Sequence, residues 1–398
     1  MGTTVNKEAL AILGGMPVRE MLLPYGRQAV DESDISAVTE ALRSDWLTTG
    51  PRVGEFEETF AAAVGAKFAV SFSSGTAALH GAAFAAGLGP GDEAVTTPMT
   101  FCATANCVLY QRARPFFADV SVDTLNLDPA AAEEKISART KAILPVDYSG
   151  HAADLDALMD LAERHGLTVI EDASHALGGE HRGRRVGSVA HMTTFSLHPV
   201  KHVTTGEGGM VTTDQADLAE TLRRFRNHGI SSEARERQSA GQWQYEMVLL
   251  GMNYRLPDIN CALGLSQMKK LDQNLARRRE IAAIYGTRLA GLPGLILPAV
   301  RSGVNPAWHL YAVRVDAAKR AQVFRALRAE NIGVNVHYIP VHLHPYYRER
   351  FGYKGGEFPV AEGAYGQLLS LPMFPAMTDT DVDDVVRAMG KVLEHYAS

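Results

Sequence analysis

Cysteine is scarce in this chain: Cys102, Cys107 and Cys261 are three among 398 residues. Three thiols cannot build a disulfide framework, and their spacing matches no metal-ligand pattern, so they read as small buried hydrophobes. Long apolar runs are missing as well. The Ala-rich stretch Thr76 to Leu88 is broken by His80 and Gly81 and falls short of a bilayer span, so no membrane partner is expected. The opening MGTTVNKEALAILGG has no basic end followed by an apolar core and cleavage site, and the expected location is the cytoplasm. Basic excess is absent too: 39 Lys and Arg stand against 45 Asp and Glu, a formal net charge of −6. A nucleic-acid surface needs a basic patch, and none is expected here. No internal repeat or low-complexity tract interrupts the chain. What remains is ordinary globular material, 46% hydrophobic, 21% charged and 8% aromatic. Such a chain buries a large core, in two or three domains or in one large α/β domain with a smaller partner.

Helix and strand patterns alternate from about Asp31. Strands are predicted over Lys67–Ser71, Glu93–Thr97, Arg114–Ala118, Lys141–Val146, Leu167–Ile170, Met192–Leu197 and Gly209–Thr213. Between and around them lie helices Asp31–Arg43, Val53–Val64, an Ala-rich helix ending at Ala86, Phe101–Gln111, Pro129–Lys135, Leu155–His165 and Gln215–Arg226. Such βαβ alternation predicts a mostly parallel sheet covered on both faces. After a polar segment, Ser231–Gln244, one long helical pattern runs from near Pro257 towards Leu289. Strand His309–Val315, helix Ala317–Glu330 and strand Gly333–Tyr338 then form a smaller α+β unit. The boundary falls between Leu271 and Leu292, which divides the chain into residues 1–275 and 276–398.

Two segments concentrate reactive side chains. Lys201 lies in the polar, Gly-rich loop of TFSLHPVKHVTTGEGGMVTT (Thr194 to Thr213), beside Ser196, His198 and Pro199. Spacing alone leaves two readings, a loop lysine or one whose pKa is lowered for nucleophilic or base chemistry. Glu171 and Asp172 end the apolar run Leu167–Ile170, at the strand edge where open α/β sheets bind ligands. Asp172 reads either as a cap on the following turn or as a buried carboxylate for a cationic ring nitrogen. Ser74-Gly75-Thr76 follows a strand and opens a helix, an N-cap or an anion site. Gly87 to Gly91 follows a helix and precedes a strand, the wrong order for a dinucleotide fingerprint, and reads as a turn. His342 and His344 would face one way on a strand, but no third ligand accompanies them and Pro345 ends it, so no metal is expected.

The pair of Asp172 and, about thirty residues on, Lys201 after Phe195-Ser196 is joined by further motifs. In order these are GGMPVR (Gly14 to Arg19), WLTTGP (Trp46 to Pro51), SSGTAAL (Ser73 to Leu79), GPGDEAVTTPMTFCATAN (Gly89 to Asn106), VDYSG (Val146 to Gly150), EDASHALG (Glu171 to Gly178), FSLHPVKHVTTGEGG (Phe195 to Gly209), GMNYRLPDINCALGLSQ (Gly251 to Gln267) and VHYIPVHLHPYY (Val336 to Tyr347). Together, over Leu10 to about Leu393, the chain resembles the DegT/DnrJ/EryC1/StrS family of sugar aminotransferases.

That resemblance implies an α/β fold of the pyridoxal phosphate-dependent aminotransferase type I kind. A large domain with a mostly parallel mixed sheet flanked by helices would carry a smaller α+β C-terminal domain. It implies pyridoxal 5′-phosphate as cofactor and Lys201 as the lysine that carries it. Asp172 would hold the ring nitrogen, and His175 would stand beside the ring hydroxyl, where many members carry Gln. Ser74, Gly75, Thr76 and Ser196 would hold the phosphate, and Phe101, starting its helix, would stack on the ring. Asn253 would reach the phosphate of the neighbouring subunit's coenzyme, which makes the expected assembly a homodimer with shared active sites. Tyr25, Trp46, Thr48, His337 and Tyr338 lie in segments that members use around the sugar nucleotide.

The implied substrates are L-glutamate and a UDP-linked keto sugar, and the motifs most resemble the branch acting on UDP-linked 4-keto-6-deoxy-hexoses. Pro199 where relatives often have Ala, and the longer start before Tyr25, leave the sugar open, including dTDP- or GDP-linked ones. Related deoxysugar dehydratases carry histidine where this chain has Lys201. A coenzyme-binding regulator would need an added DNA-binding module or basic face, and neither is visible.

Overall fold

The computed structural model describes residues 9–232, 237 and 239–397. The predicted polar segment Ser231–Gln244 lies partly outside the described residues. The helices are α1 (Glu32–Arg43), α2 (Pro51–Val64), α3 (Gly75–Ala85), α4 (Ala103–Tyr110), α5 (Pro129–Glu133), α6 (Leu155–His165), α7 (Ala216–Arg226), α8 (Asp258–Met268), α9 (Leu271–Arg288), α10 (Arg320–Ala329), α11 (Pro345–Phe351), α12 (Pro359–Gln367) and α13 (Asp379–Ala397). The strands are β1 (Phe68–Phe72), β2 (Glu93–Thr96), β3 (Arg114–Phe117), β4 (Thr140–Leu144), β5 (Thr168–Asp172), β6 (Glu180–His181), β7 (Arg184–Arg185), β8 (Met192–Ser196), β9 (Gly209–Thr213), β10 (Val304–Asn305), β11 (Tyr311–Arg314) and β12 (Leu368–Leu371).

Seven strands form the main sheet in the order β1-β9-β8-β5-β4-β2-β3. Every neighbouring pair from β8 to β3 is parallel, and β9 alone runs against both of its neighbours, so the sheet is mixed and mostly parallel. Strand side chains alternate between its two faces. Leu144, Ile170, Met192 and Val211 pack with α3, α4 and α7 on one face. Ile143 and Val169 pack towards α6, and Phe195 and Met210 towards α2 and α8, on the other. This alternation places Asp172 on the α3 and α4 face and Glu171 on the opposite one.

Local chemistry starts and stops these elements where the sequence places it. Asp31 caps α1 in a reciprocal box with Asp34, and Pro51 opens α2, which ends at Gly65 in the left-handed region. The expected long helix from Pro257 is two helices. The chain breaks at Lys270, whose amine is drawn to Asp31 Oδ2 at 2.8 Å and Asp34 Oδ2 at 2.6 Å.

Beyond α9, the antiparallel pair β11–β12 packs with α9, α10 and α13 around a second core that includes Tyr285, Val313 and Leu369. Leu10 and Leu23 from the N-terminal segment join this core. The strand expected over Gly333–Tyr338 does not form. Gly333 N donates to Leu23 O, and Asn335 meets Ser370 in an isolated bridge, so the segment is tied to two different partners and builds no ladder. Among the described residues, no helix is long and apolar enough to cross a membrane.

Candidate active site

β5 and β8 end side by side, Asp172 in register with Thr194. Asp172 is buried, and its carboxylate is held from two directions. Ser174 N and Oγ donate to Oδ1 at 3.1 and 2.6 Å, an Asx turn that closes on the strand end. Thr104 Oγ1, from α4, donates to Oδ2 at 2.7 Å and lies 2.8 Å from Thr100 Oγ1. Three donors fix the carboxylate in one orientation, ready to receive a cationic N–H.

The loop from β8 to β9 carries Lys201. Its backbone is pinned by Lys201 N to His198 O at 2.9 Å, Thr205 N to Leu197 O at 3.0 Å and Asn260 Nδ2 to Thr205 O at 2.6 Å. Among the described residues no hydrogen bond holds the Lys201 amine. Desolvation lowers its pKa to about 8; Asp172 opposes that shift and the buried Arg278 guanidinium adds to it. About a tenth of such amines are neutral at pH 7, far more than for a surface lysine. Arg278, on α9, is itself lowered to about 10 by burial and donates to the carbonyls of Trp308, His309 and Met373. It therefore couples the second core to the lysine.

Four buried histidines surround this amine. His175, His202 and His309 are held well below the ordinary imidazole range and His337 is lowered to about 4, in each case chiefly by burial. The His175 and His309 rings lie 4.4 Å apart, and His202 Nε2 contacts Ala307 O at 3.0 Å. His175 Nε2 is 3.0 Å from Tyr338 Oη, while its Nδ1 is buried with no partner among the described residues. Such an orphaned nitrogen is an opening for a ligand hydroxyl. Gly150, at φ +96°, lets the VDYSG segment press against this cluster, since a Cβ there would meet His175 O and Trp308 N at 2.7 Å.

At the N-terminus of α3, Ser74 is the cap and accepts from Ala77 N at 3.1 Å. A Cβ on Gly75 would lie 2.9 Å from Ser196 Cβ, so the glycine brings the Ser196 hydroxyl against the helix end. Gly75 and Thr76 begin the helix there, and the first-turn amides with the helix dipole make an anion cradle.

Phe101 precedes α4 instead of starting it: Cys102 is the N-cap, and Phe101 remains 57% exposed with its ring 6.0 Å from Tyr338. The Tyr25 and His337 rings meet at a tilt with centroids 5.1 Å apart, and Gly26 passes close to Val200, which brings both towards Lys201. Trp46 and Thr48 lie on the loop between α1 and α2. Their loop is clamped to α8 through Gly50 N and Arg52 N, both donating to Asp258, and no hydrogen bond or ring contact among the described residues ties them to Lys201. Asn253 is exposed, and Ser73 N donates to the carbonyl of its neighbour Tyr254.

The expected strand at His342 and His344 is a short 3-10 turn, Val341–Leu343, set by Pro340 before it and Pro345 after it. His342 Nε2 lies 3.0 Å from Glu362 Oε1, with Glu357 nearby. Both carboxylates are engaged by backbone amides between Lys354 and Phe358 and cap that turn.

Thr104, Ser174, His309 and Arg278 carry no role in the sequence reading. Thr104 and Ser174 stand within the quoted motifs, but a hydroxyl offers no signal until its acceptor is located.

The donor set fits pyridoxal phosphate group by group: an anion cradle, a fixed carboxylate, an unpartnered imidazole nitrogen, an exposed aromatic ring and a lysine amine short of full protonation. The profile of the DegT/DnrJ/EryC1/StrS aminotransferase family matches residues 28–390. The spore coat polysaccharide biosynthesis protein SpsC of Bacillus subtilis is 46% identical over 94% of this chain and 98% of its own. The UDP-4-amino-4-deoxy-L-arabinose–oxoglutarate aminotransferase of Shewanella sediminis is 42% identical over 93% and 98%. Among solved structures, Helicobacter pylori PseC, an aminotransferase involved in the biosynthesis of pseudaminic acid, superposes with a TM-score of 0.88 at 32% identity, covering 94% of this chain and all of that one. The chain belongs to the DegT/DnrJ/EryC1/StrS aminotransferase family and is a pyridoxal phosphate-dependent sugar aminotransferase.

Proposed function

We propose that this enzyme transfers the amino group of L-glutamate to the 4-keto group of a UDP-linked 4-keto-6-deoxy sugar, one bearing an N-acetylamino group, in the cytoplasm. The product serves cell-surface glycan or nonulosonic acid synthesis, and the specific activity favoured is that of a UDP-4-amino-4,6-dideoxy-N-acetyl-β-L-altrosamine transaminase. The observation that carries the amino-transfer reading is Lys201, an amine lowered to about 8 and acted on by Asp172. The names of the Shewanella and Helicobacter proteins support a nucleotide keto sugar as acceptor.

When bound, pyridoxal phosphate supplies an aldehyde that takes up the donor's amine and a protonated ring that accepts the electron pair freed at the substrate carbon. Ser74, Gly75, Thr76 and Ser196 would hold its phosphate, and Phe101 would pack against the ring. Asp172, its rotamer fixed by Thr104 and Ser174, would hold the ring proton. His175 offers its neutral Nδ1 to the ring hydroxyl. Lys201 Nζ, in its neutral form, would take a proton from the substrate carbon and return it to the other side of the transfer.

Tyr25, His337 and Tyr338 face the acceptor, and Trp46 and Thr48 complete an acceptor site from a neighbouring subunit's loop. Asn253 reaches across the same interface to the partner's phosphate. Trp243, Tyr245, Met247 and Leu250, each more than half exposed just before it, are the apolar surface such a homodimer would cover.

The test is the visible absorption of the loaded protein, charged with glutamate and then given a UDP-linked 4-keto-6-deoxy sugar. Bleaching by glutamate and recovery with the sugar are expected. Bleaching without recovery on any UDP-linked sugar overturns the acceptor, with dTDP- or GDP-linked sugars next to be tried. No bleaching overturns the role of Lys201, and release of water without amine transfer would make the enzyme a dehydratase.

A further inference from the structure

Beneath Asp172, on the opposite face of the sheet, lie two carboxyls that the reaction above does not use. Asp147 follows β4 in the VDYSG segment and Glu171 is the penultimate residue of β5; both are completely buried. Asp147 Oδ1 accepts from Ala153 N at 2.8 Å, and Glu171 Oε2 accepts from Thr193 Oγ1 at 2.7 Å. The remaining oxygens, Asp147 Oδ2 and Glu171 Oε1, are buried and make no hydrogen bond to a donor among the described residues, with the Gly187 amide near Glu171, and the two carboxyls are within hydrogen-bonding reach of each other.

Two facing acceptors in a dry site repel unless a proton stands between them. Besides Thr193 and the amides of Ala153 and Gly187, the charged group that faces them is Asp172. Neither carboxyl forms an ion pair among the described residues. Burial first, then the charges of Glu171 and Asp172, push Asp147 well above the ordinary carboxyl range; burial and Asp172 raise Glu171 less, because hydrogen bonds from Thr193 and Asp147 oppose the shift.

We propose that Asp147 and Glu171 share one proton, which closes a hydrogen-bonded chain from Ala153 through both carboxyls to Thr193, and that the pair is a positioning device for Asp172. Asp147 N donates to Asp172 O at 3.0 Å and Asp172 N donates to Pro145 O at 2.8 Å, so the shared proton fixes the strand end from which the Asp172 side chain projects. With one proton the pair keeps a single negative charge behind the site, of the sign that favours a protonated coenzyme ring. Two charges would force the strand ends apart, and none would withdraw that support. The coenzyme part of this inference rests on the assignment of Asp172 to the ring nitrogen; the shared proton does not.

The test has two arms. In the first, unfolding of the coenzyme-free protein is measured from pH 5 to 8 for wild type, Asp147→Asn, Glu171→Gln and the double variant. Each amide can donate where the shared proton stood, so each single variant keeps the chain and one charge. A native state that retains a proton the unfolded chain has lost is weakened as pH rises towards the folded pKa. The folding constant of wild type should therefore fall tenfold per pH unit relative to each single variant. Parallel curves overturn the shared proton, and a hundredfold change per unit against the double variant would mean two retained protons and overturn it as well.

In the second arm, the proteins are loaded with pyridoxal phosphate. The double variant, stripped of the charge, should lose roughly tenfold in kcat with KM for glutamate little changed, and its visible band should titrate at a different pH. Singles that equal the double in both readouts overturn the positioning role. Failure of wild type to take up pyridoxal phosphate or to be bleached by glutamate strikes the site assignment instead, and the first arm still judges the proton.

Discussion

Thr104 donates its hydroxyl to Asp172 Oδ2 at 2.7 Å, across the gap between α4 and the end of β5. The bond joins two elements about seventy residues apart in the chain, and it makes the orientation of Asp172 depend on a helix that, among the described residues, makes no hydrogen bond to Lys201 or its loop. A hydrogen bond to a charged group contributes about 1.5–3 kcal/mol. Thr104→Val, which keeps the shape and removes the donor, should weaken pyridoxal phosphate binding or kcat by about 10- to 100-fold. Thr104→Ser should recover most of the loss. Titration of the coenzyme by absorbance checks the first and single-turnover kinetics the second; a valine variant equal to wild type would remove Thr104 from the site.

The lysine gives a prediction in pH. Desolvation favours the neutral amine of Lys201 and the carboxylate of Asp172 opposes it, leaving a value of about 8. Only the neutral amine attacks an aldehyde, so incorporation of pyridoxal phosphate into coenzyme-free protein should accelerate with pH, with a midpoint near 8. Removing the opposing charge in Asp172→Asn should move that midpoint lower. A midpoint near 10.5, the ordinary lysine value, would show that the amine is solvated.

Legibility differed by the range of the interaction involved. The strand β9 was predicted with its observed ends, and the other main strands within one or two residues, because short apolar runs between turn signals are local. The break at Lys270 was hidden because Asp31 and Asp34, the acids that draw its amine, are more than two hundred residues away in the chain. The pairing of Gly333 with Leu23 was hidden for the same reason. In the site, Asp172 and Lys201 stand out in the sequence as a spaced pair through the resemblance to the aminotransferase family. Their supports were not: Thr104, Ser174 and Arg278 act through hydroxyls, an amide and a guanidinium, whose partners only the folded chain supplies.

A stability prediction concerns Glu57, which lies on α2 behind β1. It accepts from Ser71 N at 2.9 Å and Ser71 Oγ at 2.7 Å and pairs with the buried Arg226 guanidinium. Removing Glu57 takes away the acceptor of both Ser71 donors and one partner of the Arg226 guanidinium, and breaking such a buried charged network costs about 3–5 kcal/mol. Glu57→Ala should lower the urea midpoint accordingly, and Glu57→Gln, which can still accept from Ser71, should cost less. A loss below about 1 kcal/mol in the alanine variant, the range of a surface pair, would mean that Glu57 does not hold this network together.

The last prediction follows from the four neutral histidines. His175, His202, His309 and His337 all have folded pKa values below the unfolded imidazole, so the native state resists protons that the unfolded chain takes up. Their contribution to stability is complete above pH 6.5 and is lost as pH falls through the folded values, which for His337 means towards about 4. Between pH 6 and 5 they demand up to four protons on unfolding, offset by the one that the Asp147–Glu171 pair releases, so stability should fall by roughly 1.4 kcal/mol per pH unit for each proton in the difference. His309→Leu, which removes one imidazole whose Nδ1 has no partner, should reduce that slope by one proton without altering the fold's alkaline limb. The measurement is the urea unfolding free energy at closely spaced pH values. An unchanged slope would mean that His309 is already protonated in the native protein, and then its ring could not lie 4.4 Å from that of His175 in a dry cluster beside Lys201 without a carboxylate to balance it.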